Sequence, residues 1–125
     1  MFLKRVLISI LSVFSFVTFA EEIADISAQQ LQQADKTDLL ILDVRSPEEY
    51  AAGHVPNAVN IPHTEIAQNI ERLLGYKDKT VVVYCRSGFR AGKAGNALVE
   101  NGFSSVKHLE GDMLGWETSG NPIEK

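Results

Sequence analysis

Cys85 is the one cysteine among 125 residues, and it opens the run Cys85-Arg86-Ser87-Gly88-Phe89-Arg90. A single thiol cannot form an intrachain disulfide, so it is either a small buried hydrophobe or a reactive group. Its setting points to the second. Gly88 allows backbone angles closed to other residues, which lets successive amides of the run turn inward as a nest. A helix beginning at the end of the run adds the positive end of its dipole, and Arg86 and Arg90 add full charges. All three effects favour thiolate over thiol. The chemistry expected is that of an anion-cradled nucleophile able to receive and hold a group.

Such a loop must be held at the end of a strand. Thr80-Val81-Val82-Val83-Tyr84 is β-branched and unbroken, the strongest strand signal in the chain, and it runs straight into Cys85. Beyond the loop, Ala91, Ala94, Gly95 and Leu98 form a small-residue helical face suited to close packing on a sheet, and Gly102 ends that helix. Upstream, Ser27-Ala28-Gln29-Gln30 has the form of a capping box and starts a short helix. The apolar run from Leu39 to Leu42, ending at Asp43, is too short for a helix and fits a strand buried on both faces. Ser46-Pro47-Glu48-Glu49 opens a second short helix, with Ser46 as N-cap, Pro47 at the first helical position and Gly53 as the stop. Val59-Asn60-Ile61-Pro62 reads as a short strand closed by proline. Ile66, Ile70, Leu73 and Leu74 follow at helical spacing, with Gly75 placed to cap the end. Ser105 to Leu109 supplies a last strand, and Asp112 is expected to cap a final helix holding Met113 and Trp116. Strands alternating with helices imply right-handed crossovers and an α/β domain, with a parallel sheet of about five strands covered on both faces. In such sheets ligands gather where strand C-termini meet helix N-termini, which is where Cys85 falls.

The 12 basic and 16 acidic residues give a net charge of −4, and 45% of the chain is hydrophobic. That composition suits one packed domain and argues against general binding to nucleic acid or anionic lipid. The charge is uneven. Residues 1–20 hold Lys4 and Arg5 and no acid, then an almost continuous apolar stretch from Val6 to Val17, then Thr18-Phe19-Ala20 ahead of Glu21-Glu22. This is the layout of a secretory signal, favoured over a retained anchor because the apolar part is short for a bilayer crossing; a cut between Ala20 and Glu21 is expected, leaving residues 21–125 as a single domain without a stable membrane anchor. The mature chain then carries 10 basic against 16 acidic residues, or −6. Export is expected, to the periplasm in a Gram-negative cell, where an unpaired thiol needs a reason.

From about residue 22 to 120 the chain resembles the single-domain rhodaneses. The similarity rests on three stretches: the Cys85 to Arg90 loop; the run from Leu42 through Asp43-Val44-Arg45-Ser46-Pro47-Glu48-Glu49-Tyr50 and Gly53-His54-Val55-Pro56-Asn57-Ala58 to Asn60-Ile61-Pro62; and Phe103, Val106, Leu109, Gly111 and Trp116. In the last of these Asp112 replaces the second glycine of a family pair, which puts the local turn in question. The resemblance implies a sulfurtransferase in which Cys85 carries the sulfur and the amides of Arg86, Ser87, Gly88, Phe89 and Arg90 cradle its persulfide. The implied donor is thiosulfate or a similar small anion, bound by Arg86 and Arg90, and the implied acceptor is cyanide or a thiol. No cofactor or metal is implied.

Other readings stand beside this one. The same fold could serve as a persulfide relay or as a non-enzymatic binding module. Related phosphatases and arsenate reductases have one more residue between Cys and Arg. Here four residues separate Cys85 from Arg90, a tighter ring suited to one sulfur. Asp43 and Arg45 are expected to hold loops together, with Arg45 within reach of Glu49. Glu48 and Glu49 fit a helix's first turn as caps. His54 is expected to fix a turn, and no ligand spacing links His54, His63 and His108 as a metal site. Trp116 and Met113 are expected in the core, and Gln29 to Gln33 on a solvated face.

Overall fold

The strand that leads into Cys85 lies at the centre of the sheet. A computed structural model describes residues 23–125, so the expected leader 1–20 lies outside the described residues. Thr80–Tyr84 (β4) has Leu39–Asp43 (β2) on one side and Ser105–Leu109 (β5) on the other. Ala24–Ile26 (β1) extends the sheet beyond β5, and Val59–Asn60 (β3) extends it beyond β2. All five strands are parallel, in the order β1-β5-β4-β2-β3. With a strand bonded on each side, β2 and β4 are buried after their first residue, as unbroken apolar runs require.

Alternation along these strands divides the core between the two faces. Leu40, Leu42, Val81, Val83 and Cys85 join Ala91, Ala94 and Leu98 of the long helix Phe89–Glu100 (α4) and Leu73 of the short Ile70–Leu73 (α3). Ile41, Val82 and Tyr84 face the other way, onto Leu31 of Ala28–Gln33 (α1), Tyr50 of Pro47–Ala52 (α2), and Met113 and Trp116 of Asp112–Thr118 (α5). The small-residue face of α4 is needed for its approach: a Cβ at Gly95 would overlap the Ile23 side chain. Both capping boxes form as their sequences dictate, Ser27 with Gln30 and Ser46 with Glu49. The Gln29–Gln33 positions other than Leu31 face solvent. Among the described residues no helix is long and apolar enough to cross a membrane.

Two expectations are corrected. The segment expected as one helix through Leu74 is instead 3-10 turns at His63–Glu65, Ala67–Asn69 and Leu74–Tyr76 around the four residues of α3. Asn69 breaks the ladder by donating its side-chain amide to the Glu65 carbonyl at 2.7 Å, and the chain continues through Gly75 without a left-handed turn. At the final helix the N-cap is Gly111 and not Asp112. Both residues have positive φ, +82° and +53°, so Asp112 occupies a left-handed conformation that glycine adopts at lower cost.

Candidate functional site

Three strand ends meet at one edge of the sheet: Asp43 closes β2, Tyr84 closes β4 just before Cys85, and Leu109 closes β5 three residues ahead of Asp112. Between β4 and α4 the chain turns through Cys85, Arg86, Ser87 and Gly88. Gly88 has φ +118° and is the N-cap of α4. Its amide donates to Cys85 Sγ at 3.0 Å. Among the described residues no side chain caps α4, which leaves the orphan amides of its first turn to whatever the loop holds. Cys85 itself is 1% exposed, at the floor of the loop, under a rim of exposed Arg86, Ser87 and Phe89, the last 74% exposed. A thiol so placed has a backbone donor, the Gly88 amide, within hydrogen-bond reach of its sulfur.

The β2 side of the loop is a buried ionic network. Asp43 accepts the Arg45 backbone amide at 2.9 Å and the Arg45 guanidinium at 2.7–3.2 Å, and also takes the Tyr84 hydroxyl at 2.7 Å. Arg45 reaches on to the Gly53 carbonyl at 2.8 Å, while the Tyr84 oxygen accepts the Val55 amide at 3.1 Å. Asn60 closes the cluster by donating to the carbonyls of Asp43 and Arg45. Every polar atom there has a partner, the condition under which a buried ion pair is tolerated. Burial works most strongly against the Arg45 charge, yet the hydrogen bonds to Asp43 together with the electrostatic attraction of Asp43, Tyr84 and Glu49 outweigh it and raise the guanidinium. Burial, with the Asp43 charge beside it, pushes the Tyr84 phenol well above its ordinary value, so it stays a donor.

Arg45 was expected within reach of Glu49; Glu49 reaches it through charge alone, since the Arg45 side-chain hydrogen bonds go to Asp43 and Gly53 and Glu49 accepts those of Arg90. The Arg90 guanidinium makes a two-point contact with Glu49, at 2.6 and 3.0 Å, tying α4 to α2. That contact holds the Glu49 carboxyl down to about 2, helped by the Ser46 amide and hydroxyl, and raises Arg90 in turn. Arg90 is thus occupied at the loop's far end, whereas Arg86 is exposed. His54 fixes the turn after α2: it stacks on Tyr50 at 3.7 Å, its Nδ1 lies 2.9 Å from the Tyr50 carbonyl, and its backbone bridges to Glu124.

The β5 side holds the residues that sequence reasoning missed. Asp112, expected as a helix cap, points its carboxylate under the loop and accepts the Cys85 backbone amide at 3.0 Å. It also meets His108 Nε2 at 2.9 Å, and His108 Nδ1 lies 3.2 Å from Asp25. The next two amides of α5, of Met113 and Leu114, donate to the carbonyls of Cys85 and Arg86. The available signal was the departure itself, an acid at a position of left-handed backbone. Tyr84 was missed because its ring completes an apolar strand and hides the role of its hydroxyl. Among the described residues no group of three or more His, Cys, Asp or Glu side chains is arranged to hold a metal ion.

Against known proteins, the rhodanese-like domain family matches residues 27–119. A sulfurtransferase of Allochromatium vinosum is 37% identical over 101 residues, covering 79% of this chain and 92% of that protein. A tRNA uridine(34) hydroxylase of Photorhabdus laumondii is 36% identical over 94 residues, covering 71% of this chain but 27% of that protein. The structure superposes on a thiosulfate sulfurtransferase of Pseudomonas aeruginosa with a TM-score of 0.75 at 27% identity, over 82% of this chain and 20% of that one.

Proposed function

Since the chain belongs to the rhodanese-like family, we propose that it is a sulfurtransferase that moves a sulfane sulfur from thiosulfate, or a similar small anion, through a persulfide on Cys85. The observation that carries this reading is the Cys85 sulfur at the floor of a loop with the Gly88 amide 3.0 Å from it. In the first half-reaction the Cys85 thiolate attacks the outer sulfur of thiosulfate; the sulfur–sulfur bond breaks and sulfite leaves with its electron pair. In the second, cyanide or an acceptor thiolate attacks the outer sulfur of the persulfide and Cys85 departs as thiolate. Backbone donors and the helix end stabilise the anionic sulfur at both stages. Arg86, exposed on the rim, meets the incoming donor, and Arg90, held by Glu49, closes the ring.

Loop length supports sulfur over phosphate, since four intervening residues give few amides to a tetrahedral oxyanion. A relay to a protein thiol has its own supporting observation: Phe89 and Leu114, both exposed, flank the loop, and the Leu114 amide is bonded to Arg86. The leader-like residues 1–20 support export of the protein, and N-terminal sequencing of exported protein should begin at Glu21.

The test is intact-mass spectrometry of the protein from Glu21 onward after incubation with thiosulfate, with Cys85→Ser alongside. Gain of one sulfur by the wild type alone is expected; gain by both would assign the carrier elsewhere. Arg86→Ala should raise the thiosulfate requirement about tenfold and leave an uncharged donor nearly unaffected, and equal losses on both donors would remove its role.

A further inference from the structure

Asp112 is 2% exposed, carries φ +53°, and stands where the family pattern has glycine. A side chain kept in that conformation costs free energy that something must offset. What it gains is contact with the carrier residue: Oδ1 takes the Cys85 amide, and a Cβ at Gly88 would come within 3.3 Å of Oδ2 and 3.9 Å of the His108 ring. The carboxylate therefore lies directly beneath the loop that is to hold an anionic sulfur. Left bare, its charge opposes that anion.

His108 supplies the remedy. Carboxylates face both of its ring nitrogens, Asp25 from β1 at Nδ1 and Asp112 from the start of α5 at Nε2. A neutral imidazole donates through one nitrogen only, so both contacts are hydrogen bonds only in the imidazolium. The hydrogen bond to Asp112 raises His108 above its ordinary value, with Asp25 adding to it against the effect of burial. Asp112 links the ring to the Cys85 backbone amide, and from the loop it is the Gly88 backbone that approaches the ring.

We propose that Asp112 is a positioning residue for Cys85: it fixes the carrier's amide, and His108 decides by its protonation how much of the Asp112 charge the loop feels. The proposal rests on Cys85 being the sulfur carrier, and its consequence is that sulfur uptake weakens as pH rises through the His108 titration.

The experiment measures, by intact mass, the rate of sulfur uptake from thiosulfate and of alkylation by uncharged iodoacetamide, at pH values on either side of the His108 titration. The proteins are wild type, Asp112→Asn, Asp112→Gly and His108→Gln. Asp112→Asn keeps an acceptor for the Cys85 amide and removes the charge; at the higher pH it should outpace wild type about tenfold with thiosulfate. His108→Gln leaves the charge bare and should be slow at both pH values, so that wild type matches the first variant at low pH and the second at high pH. Asp112→Gly suits the left-handed backbone and should fold; it loses the amide contact as well, and should fall several-fold below Asp112→Asn. The same dependence of rate on pH in all four proteins would overturn the role of Asp112. Absence of sulfur uptake in every protein, with the variant pattern intact in alkylation, would instead remove thiosulfate as donor and leave the positioning role standing.

Discussion

Two buried carboxylates flank the strand that delivers Cys85, and they are partnered differently. Asp43, at the end of β2, meets the guanidinium of Arg45, a cation at every pH the protein encounters. Asp112, after β5, meets the imidazole of His108, a cation only part of the time. Each accepts a backbone amide, that of Arg45 in one case and of Cys85 in the other. The difference separates two tasks. On the β2 side a permanent charge pair, closed by Tyr84 and Asn60, locks the turn from Gly53 to Val55 against the sheet. On the β5 side a titratable pair lies against the loop itself, where a change of charge is felt by the bound anion.

The largest effect should come from breaking the permanent pair. Arg45→Met leaves the Asp43 charge buried without its cation, and such a loss costs about 3–5 kcal/mol. Urea unfolding of the variant should show that decrease, while Asp112→Asn changes the midpoint far less; comparable losses in the two would mean that the sides do the same work. Tyr84→Phe comes next. It removes the donor to Asp43 and the acceptor of the Val55 amide together, at about 1–3 kcal/mol, without touching the loop's sulfur. Unfolding midpoints should fall by that amount while the rate of sulfur uptake stays within a few-fold of wild type, and a selective collapse of uptake would place Tyr84 in the chemistry.

How far the sequence reveals this arrangement depends on the range of the interaction. The strands β2 and β4, the capping boxes at Ser27 and Ser46, and the small face of α4 are local patterns, and they stand as expected because period and cap chemistry act within a few residues. Cys85 and Gly88 are legible for the same reason, since the loop that brings them together is four residues long. The Glu49–Arg90 and Tyr84–Asp43 contacts each span 41 positions, and Cys85 to Asp112 spans 27. They exist only because parallel topology brings the C-terminal ends of β2, β4 and β5 to one edge, and no spacing rule encodes them. The segment from Ile66 to Tyr76 fails in the other direction: its helical period is real, but the side-chain amide of Asn69 competes locally for the Glu65 carbonyl.

The smallest effect, and the one that separates permanent from titratable pairing most directly, is the pH dependence of stability. His108 is raised in the folded protein, so it stabilises fully below the ordinary imidazole value of about 6.5 and that contribution is lost as pH rises through the raised one. Glu49 moves oppositely: its carboxyl is lowered to about 2 from 4.5, so its contribution is present above 4.5 and is lost as pH falls through about 2. Glu49 and Arg90 are partly exposed, so salt should shrink the acid-side loss. Urea midpoints followed from acid to alkaline pH should therefore show two flanks, the alkaline one absent in His108→Gln and the acid one reduced in Glu49→Gln. Arg45 should contribute no flank on the alkaline side, because the guanidinium keeps its proton throughout. An alkaline flank that survives His108→Gln would mean that the charge beneath the loop is set by a group other than this imidazole.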